Sequence, residues 1–415
     1  MKRQLVFSLA ILLFLFSATM VAIMYGRGYR FGLTSGKIEL SGTGLLVVSS
    51  LPDGAQVLVN DKLSTATNDT INLFPGQYSV KIVKDGYFVW QKSVKVQKEV
   101  VTKIHAFLLP NAPKLESITA LGVTRPVIDP SGSRLAYTIA SQSAKKNGVY
   151  VMDMTTRPIL TLQSASTQIV SDAQVNFSDA QLSWSPDGTE IVATISASPT
   201  QSTTYLLDAS GFNNNIQDIT NTLPIVNQTW EKEIAEKEKA RMATLKAPLR
   251  KLLEENFRII SYSADETKIL YTASASATLS YVIKPRLIGI DSTPEQRNVV
   301  KDKIYVYDIR EDKNYALPIS STINYKLSNE KSSMIDNKSE ALASVSWMPD
   351  SKRLLYTHDK KIDIMEFDGG NQTTVFAGPF EDNFVFPWPS GSKIVMLTNL
   401  GNTNISSNLY IITLE

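Results

Sequence analysis

One nine-residue pattern returns along the chain and limits its folding more than any other feature. It reads Ser183-Trp184-Ser185-Pro186-Asp187-Gly188-Thr189-Glu190-Ile191. In the same register stand Ile128-Asp129-Pro130-Ser131-Gly132-Ser133-Arg134-Leu135, Ser261-Tyr262-Ser263-Ala264-Asp265-Glu266-Thr267-Lys268-Ile269 and Ser346-Trp347-Met348-Pro349-Asp350-Ser351-Lys352-Arg353-Leu354. A last copy is Pro387-Trp388-Pro389-Ser390-Gly391-Ser392-Lys393-Ile394. Proline presets φ for the first corner of a type I turn, and Asp followed by Gly suits the next corners. A β-rich run follows each turn, such as Ile191-Val192-Ala193-Thr194-Ile195. The residues carrying these corners are Pro130, Pro186, Asp187, Gly188, Asp265, Pro349, Asp350 and Pro389. Short strands and turns repeated every few tens of residues read as small sheets set round an axis.

The Ser-Trp-Ser-Pro-Asp-Gly corner resembles the WD40-like repeat of TolB-type β-propellers, where it joins a blade's innermost strand to the next. The second and fourth copies match closely; the third lacks Pro and Gly, and the fifth shifts its Trp by one. The resemblance covers most of the chain from about Pro113 and implies an architecture, not an activity. Five blades are visible between 114 and 415. A sixth, degenerate one has room in Ser274 to Asp302 or Ser320 to Glu340. The last blade stops after a third strand at Asn408 to Leu414, and its fourth is expected from Leu115 to Leu121, which would close the ring and hide an edge.

At the other end, Met1-Lys2-Arg3-Gln4 precedes an uncharged run from Leu5 to Tyr25. About 20 such residues span a hydrocarbon core. The run is long for a signal peptide and lacks a good small-x-small cleavage pattern, so residues 1–25 read as an uncleaved membrane anchor. Lys2 and Arg3 favour a cytoplasmic N-terminus, while Arg27 and Arg30 flank the far side. Residues 26–42, rich in Gly, Ser and Thr, read as a linker.

A compact β-pattern fills 43–110, with several runs alternating apolar and polar residues as half-buried strands do. Its landmarks are Pro52-Asp53-Gly54-Ala55, then Pro75-Gly76 within Phe74-Pro75-Gly76-Gln77-Tyr78, then Gly86-Tyr87. These resemble the PEGA domain, with Asp in place of the motif's Glu. The resemblance implies a small β-sandwich-like module of surface-layer and envelope proteins without catalytic residues, and it places the bulk of the chain outside the membrane. The glycines read as turn residues and Tyr87 as a core aromatic.

Composition narrows the chemistry. Of 415 residues, 43% are apolar and 20% charged, enough to bury a core, and a net charge of +2 supplies no basic field for nucleic acid. No cysteine is present, which removes disulfides, thiol catalysis and Cys-bound zinc. His105 and His358 have no metal-ligand spacing, and no G-x-S-x-G elbow appears. Asp187, Asp265 and Asp350 occupy equivalent turns, so the repeat accounts for them better than calcium or acid catalysis. Residues 229–256 read as a helical insertion kinked or split by Pro248, with Thr229 as its cap and Trp230, Ile234, Leu245 and Leu249 as a candidate docking stripe. Tyr281 to Ile290 reads as a protruding hairpin.

The whole is therefore expected to be mainly β: a transmembrane helix, a small β-sandwich-like domain, then a propeller with a helical insertion. The expected function is a non-enzymatic, membrane-anchored envelope protein without cofactor or metal, its propeller holding a protein or cell-wall glycan. A carbohydrate-active enzyme using funnel carboxylates and a structural surface-layer component are the competing classes.

Overall fold

The computed structural model describes residues 2–26, 29–34, 37–155, 166–198, 201–319 and 344–415. Two compact units result, Met1–Asn111 with Ile283–Pro294, and Ala112–Val282 with Glu295–Glu415.

In the first unit, helix α1 spans Lys2–Gly26. Its segment Phe7–Gly26 is long and apolar enough to cross a membrane, and none of it is buried. The expected linker is in part folded: Tyr29–Thr34 pairs antiparallel with Lys37–Gly42, Tyr29 opposite Gly42. The glycines of this stretch hid an alternation of Tyr29, Phe31 and Leu33 with smaller or polar residues, the period of a strand.

The rest of the unit is two facing sheets. Gly44–Leu51 lies between antiparallel Asp69–Leu73 and parallel Val101–Phe107. The other sheet runs in the order Lys62–Ala66, Gln56–Val59, Gly76–Val83, Trp90–Val96. Burial alternates along Val101–Phe107, as it must when one face meets water. Leu46, Val48, Ile104 and Ala106 of the first sheet share a core with Val57, Val80, Ile82, Trp90 and Val94 of the second. Ile283–Pro294 also belongs here, so most of the stretch expected as a protruding hairpin, Tyr281 to Ile290, packs on this unit. Lys92 Nζ lies 2.9 Å from Asp291 Oδ2, and the Lys95 N–H donates to Ser292 Oγ at 2.9 Å.

In the second unit the described residues form five four-stranded antiparallel sheets. The first blade is Thr124–Ile128, Arg134–Ile139, Gly148–Asp153 and Ser166–Ser171; the second is Gln181–Trp184, Glu190–Ser198, Gln201–Asp208 and Gln217–Asp218. The third is Phe257–Tyr262, Lys268–Ala273, Ile304–Asp308 and Lys313–Ala316; the fourth is Ser344–Trp347, Arg353–His358, Lys361–Glu366 and Thr373–Ala377. Val385–Pro387, Lys393–Thr398 and Asn408–Thr413 make three strands of the fifth, and its outer strand is Leu115–Ser117. Leu115 lies opposite Ile412 and Ser117 opposite Tyr410. The chain thus closes its own ring, and the unit is a β-propeller.

The second strands of blades one, three, four and five are buried nearly end to end, Lys268–Ala273 completely, because both faces of the sheet meet a neighbour. In blade two, burial among the described residues is confined to Ile191, Val192 and Ala193. One apolar cluster joins blades one and two through Val149, Val151, Trp184 and Leu207. Another joins five to one through Val395, Leu397, Leu135 and Tyr137, and a third joins three to four through Leu270, Val306, Leu354 and Tyr356. First strands approach one another between blades one and two and between three and four, which places them on the axial side.

The insertion between blades two and three is longer than expected. Helix α2 spans Leu223–Thr244 with Pro224 in its first turn, and α3 spans Ala247–Asn256 with Pro248 in its own. Thr229 is therefore no cap. It sits inside α2, its Oγ1 donating to the Ile225 carbonyl at 3.0 Å. Ser274 to Asp302 holds no blade, only a two-stranded pairing of Ala277–Thr278 with Asn298–Val299. The candidate sixth blade at Ser320 to Glu340 lies outside the described residues.

Closure can be tested at Ile118, which is buried and whose N–H donates to the Leu409 carbonyl at 2.9 Å. Ile118→Pro removes that donor, leaves the carbonyl unpaired and empties part of the core. A loss of about 3 kcal/mol in denaturant unfolding is expected; a loss below about 1 kcal/mol would mean the ring does not depend on this strand.

Candidate functional site

The five corners share one backbone design. The first residue donates to the carbonyl five positions on and accepts from the N–H three positions on: Ser185 with Glu190 and Gly188, Met348 with Arg353 and Ser351, Trp388 with Lys393 and Gly391. Asp129 and Ser263 do the same. The fourth position always has positive φ, 71° at Gly132, 74° at Gly188 and 73° at Gly391, but also 55° at Glu266 and 58° at Ser351. A type I turn followed by a left-handed residue is a frequent hairpin solution. The third and fifth copies thus keep the turn after losing sequence landmarks, and Trp388 takes the place of Ser185.

Pro130, Pro186, Pro349 and Pro389 fill the second position, Ala264 replacing proline in blade three. The acids are consumed locally. Asp187 Oδ1 accepts from Ser185 Oγ at 2.6 Å and from the Thr189 N–H at 3.0 Å. Asp265 repeats this with Ser263 and Thr267, and Asp350 accepts from the Lys352 and Arg353 amides. In blade one the acid has moved to the first position, where Asp129 Oδ1 accepts from the Ser133 and Arg134 amides. Hydrogen bonds from Ser185 and Thr189 hold the Asp187 carboxyl down at about 2. At Asp265 burial pushes upward but is outweighed by Ser263 and Thr267, again leaving a value of about 2.

Both acids therefore contribute stability that is fully present above the unfolded value near 4 and lost as pH falls through about 2. The thermal midpoint should drop steeply across that window, and Asp187→Asn with Asp265→Asn should flatten the drop. An unchanged acid limb in the double variant would contradict these hydrogen bonds.

At two seams, one to two and four to five, a basic side chain reaches the next corner. Arg134 donates to the Gly188 carbonyl and lies over the Trp184 ring at 5.0 Å, while Trp184 Nε1 donates to the Val127 carbonyl. Arg353 reaches the Gly391 carbonyl at 3.0 Å. The equivalent residue of blade two is acidic. Burial and the nearby Asp187, Asp208 and Glu233 charges raise the Glu190 carboxyl above its ordinary value. Helix α2 supplies the missing cation. Arg241 donates through Nε and Nη2 to Glu266 Oε1 at 3.0 and 2.8 Å and lies over the Tyr262 ring at 4.3 Å. Glu266 and Tyr262 hold the register positions of Gly188 and Trp184. Lys237 of the same helix donates to the Pro186 carbonyl at 3.1 Å, so α2 ties the corners of blades two and three.

This changes the expected docking stripe. Leu249 is buried and Leu245 half-buried against the blade-three cluster, so neither is open to a partner. Trp230 is half-buried and Ile234 exposed. The position was legible only by aligning the copies: Arg134, Lys268, Arg353 and Lys393 leave Glu190 as the exception, and Arg134 and Arg353 make the reach to the next corner. Arg241→Ala should cost about 1 kcal/mol, the sum of a part-exposed ion pair and a cation–π contact. Glu190→Arg in that background should restore most of it; further destabilisation on thermal unfolding would refute the equivalence.

The remaining candidates are structural in placement. Trp347 and Trp388 pack in inter-blade clusters, so neither stands as an exposed platform. His358 Nε2 lies 3.0 Å from buried Asp363, whereas His105 Nδ1 lies 2.9 Å from Ser49 Oγ. No cluster of metal-ligating side chains occurs among the described residues. In the first unit Gly54 and Gly86 have φ of 66° and 84°, turn conformations that suit glycine. Ala55 is buried and its N–H donates to Thr67 Oγ1. Lys84 Nζ donates to the Asp53 carbonyl beside Pro52. Pro75 leads into the strand that begins at Gly76, and Tyr87 packs half-buried on the core.

Among solved structures the chain is similar to a protein described as a TolB from Agrobacterium tumefaciens, at 14% identity, 70% of this chain, 72% of that one and a TM-score of 0.22. It is similar to TolB from Acinetobacter baumannii at 14% identity, 81% and 60% coverage and a TM-score of 0.22. Pyrococcus horikoshii acylaminoacyl peptidase matches at 12% identity, 71% and 38% coverage and a TM-score of 0.18. Similarity this low brings no function across. Comparison with curated proteins gives no match. The family model that matches is that of the PEGA domain, over residues 43–111, and this segment of the chain is a PEGA domain.

Proposed function

We propose that the chain is a non-enzymatic binding or scaffold protein of the cell envelope, anchored by α1 with its bulk outside the membrane. The PEGA domain serves as a membrane-proximal spacer and the propeller as a platform for another envelope protein. The observation that carries the reading is the state of α1: a membrane-length apolar helix with no buried residue in Phe7–Gly26. Such a surface, with Phe7, Phe14 and Phe16 each at least 70% exposed, needs lipid or an equivalent cover. The PEGA resemblance supports an envelope setting. The absence of catalysis is supported by the corner carboxylates, which spend their acceptors on their own turns.

A platform also needs exposed surface beyond the struts, and α2 offers it. Ile225 and Ile234 are exposed on a helix with no buried residue. Protease added to intact cells should digest residues 43–415 and leave the N-terminal anchor protected. Complete shielding of the C-terminal part would overturn the orientation. Cross-linkers placed at Ile225 or Ile234 in the native membrane should join one envelope protein, lost with Ile234→Glu; reaction with nothing above background would remove α2 as the docking surface.

A further inference from the structure

The end of the first unit that adjoins the membrane helix carries an uncovered apolar loop. Helix α1 ends at Gly26, and Tyr29 follows three residues later, a reach of at most about 10 Å. Tyr29 is held at the base of the PEGA domain. Its hydroxyl donates to Glu99 Oε1 at 2.8 Å, Lys98 Nζ lies 4.8 Å from its ring, and its strand partner Gly42 packs on Lys98. The turn Gln97 to Val100 therefore lies close to the helix end.

That same turn receives Gly289. The Gly289 N–H donates to Gln97 Oε1 at 3.3 Å, and its Cα packs so closely on Val100 that an added Cβ would lie 2.8 Å from Val100 Cγ1. The two preceding residues have no such cover: Leu287 is 42% and Ile288 74% exposed. Val101, beside the contact, is 44% exposed. Lys284 is exposed in the same loop, Lys98 is exposed on the turn, and Arg27 and Arg30 follow α1 in sequence. Adjacent aliphatics flanked by cations, a few residues from a membrane helix, have the composition of an interfacial insertion. Apolar side chains enter the headgroup–acyl boundary, and ammonium groups pair with lipid phosphate.

We propose that the loop Lys284 to Gly289 is a second membrane contact, with Leu287 and Ile288 inserted into an anionic leaflet and Lys284 at the phosphate level. The inference rests on the reading of α1 as the anchor. A single helix fixes the domain to the bilayer at one place; a second contact on the same unit adds another and holds the PEGA domain at the surface.

The 415-residue chain has no cysteine, so Ile288→Cys gives one labelling site for an environment-sensitive fluorophore, and Ile225→Cys on α2 gives the control. Both proteins are reconstituted into phosphatidylcholine vesicles with and without phosphatidylglycerol. The label at 288 is expected to be quenched by lipid-borne nitroxide and shielded from iodide, more strongly with phosphatidylglycerol, while the label at 225 behaves oppositely. Lys284→Glu should lower the lipid-bound fraction about fivefold on anionic vesicles, the weight of one basic residue near such a surface. A label at 288 shielded from iodide but untouched by nitroxide would mean a protein cover and overturn the proposal, as would equal behaviour of the two labels. Failure of either protein to float with vesicles would instead remove the anchor reading, and the loop contact with it.

Discussion

The propeller depends on one small backbone constraint, the left-handed residue at the fourth position of each corner. It lets the chain reverse while the first corner residue closes both of its backbone hydrogen bonds. An unpaired backbone group at such a place would cost about 1–3 kcal/mol, and the design recurs in all five blades. With the corner rigid, the Trp184 or Tyr262 position is aimed at the seam between blades, and the corner carbonyl is presented to the preceding blade. The apolar clusters then occupy seams whose geometry the corners have set.

The seam between blades two and three shows how such a system tolerates a break. Glu190 stands where the other blades carry Arg or Lys, in a neighbourhood already acidic from Asp187, Asp208 and Glu233. A carboxylate there cannot bind the next corner, so the cation comes from α2 through Arg241. A helix with no buried residue would be marginal alone in water. The contacts at Pro186 and Glu266 fix it to two blades, and α3 beside it buries Leu249, Leu252 and Leu253. The insertion is thus structural on its inward stripe and open on its outward one, where Ile225 and Ile234 remain exposed.

A similar division holds in the first unit. The PEGA domain buries Leu46, Val57, Ile82 and Trp90 in a core of its own. Its basal turn touches both the hairpin that follows α1 and the loop around Gly289. The core of this unit and its exposed aliphatics, Leu287 and Ile288, are therefore different residues of the same module.

Much was legible in the sequence because it rests on local chemistry. The corners announce themselves through Pro, Asp and Gly; α1 through an uncharged run of membrane length; the PEGA domain through turn residues at set intervals. Pro248 marked the division of the helical insertion because proline has no amide to give. What the sequence hid is what distance decides. Glu266 and Ser351 adopt positive φ without being glycine, held by the two backbone bonds that close each corner. Helix α2 starts six residues before Thr229, at Leu223, because its N-cap Thr222 makes no side-chain capping bond that would mark the boundary. The strand from Leu115 to Ser117 finds Tyr410 to Ile412 across nearly three hundred residues, a pairing foreseen only from the unfinished last blade. Arg241 serving for Glu190, and Asp291 meeting Lys92, leave no local signature, because a charge does not specify which distant charge will neutralise it. By itself the sequence determined turns, periodicities and the apolar N-terminal helix; the tertiary structure alone decided the pairings, because only a packed chain brings remote groups within hydrogen-bond reach.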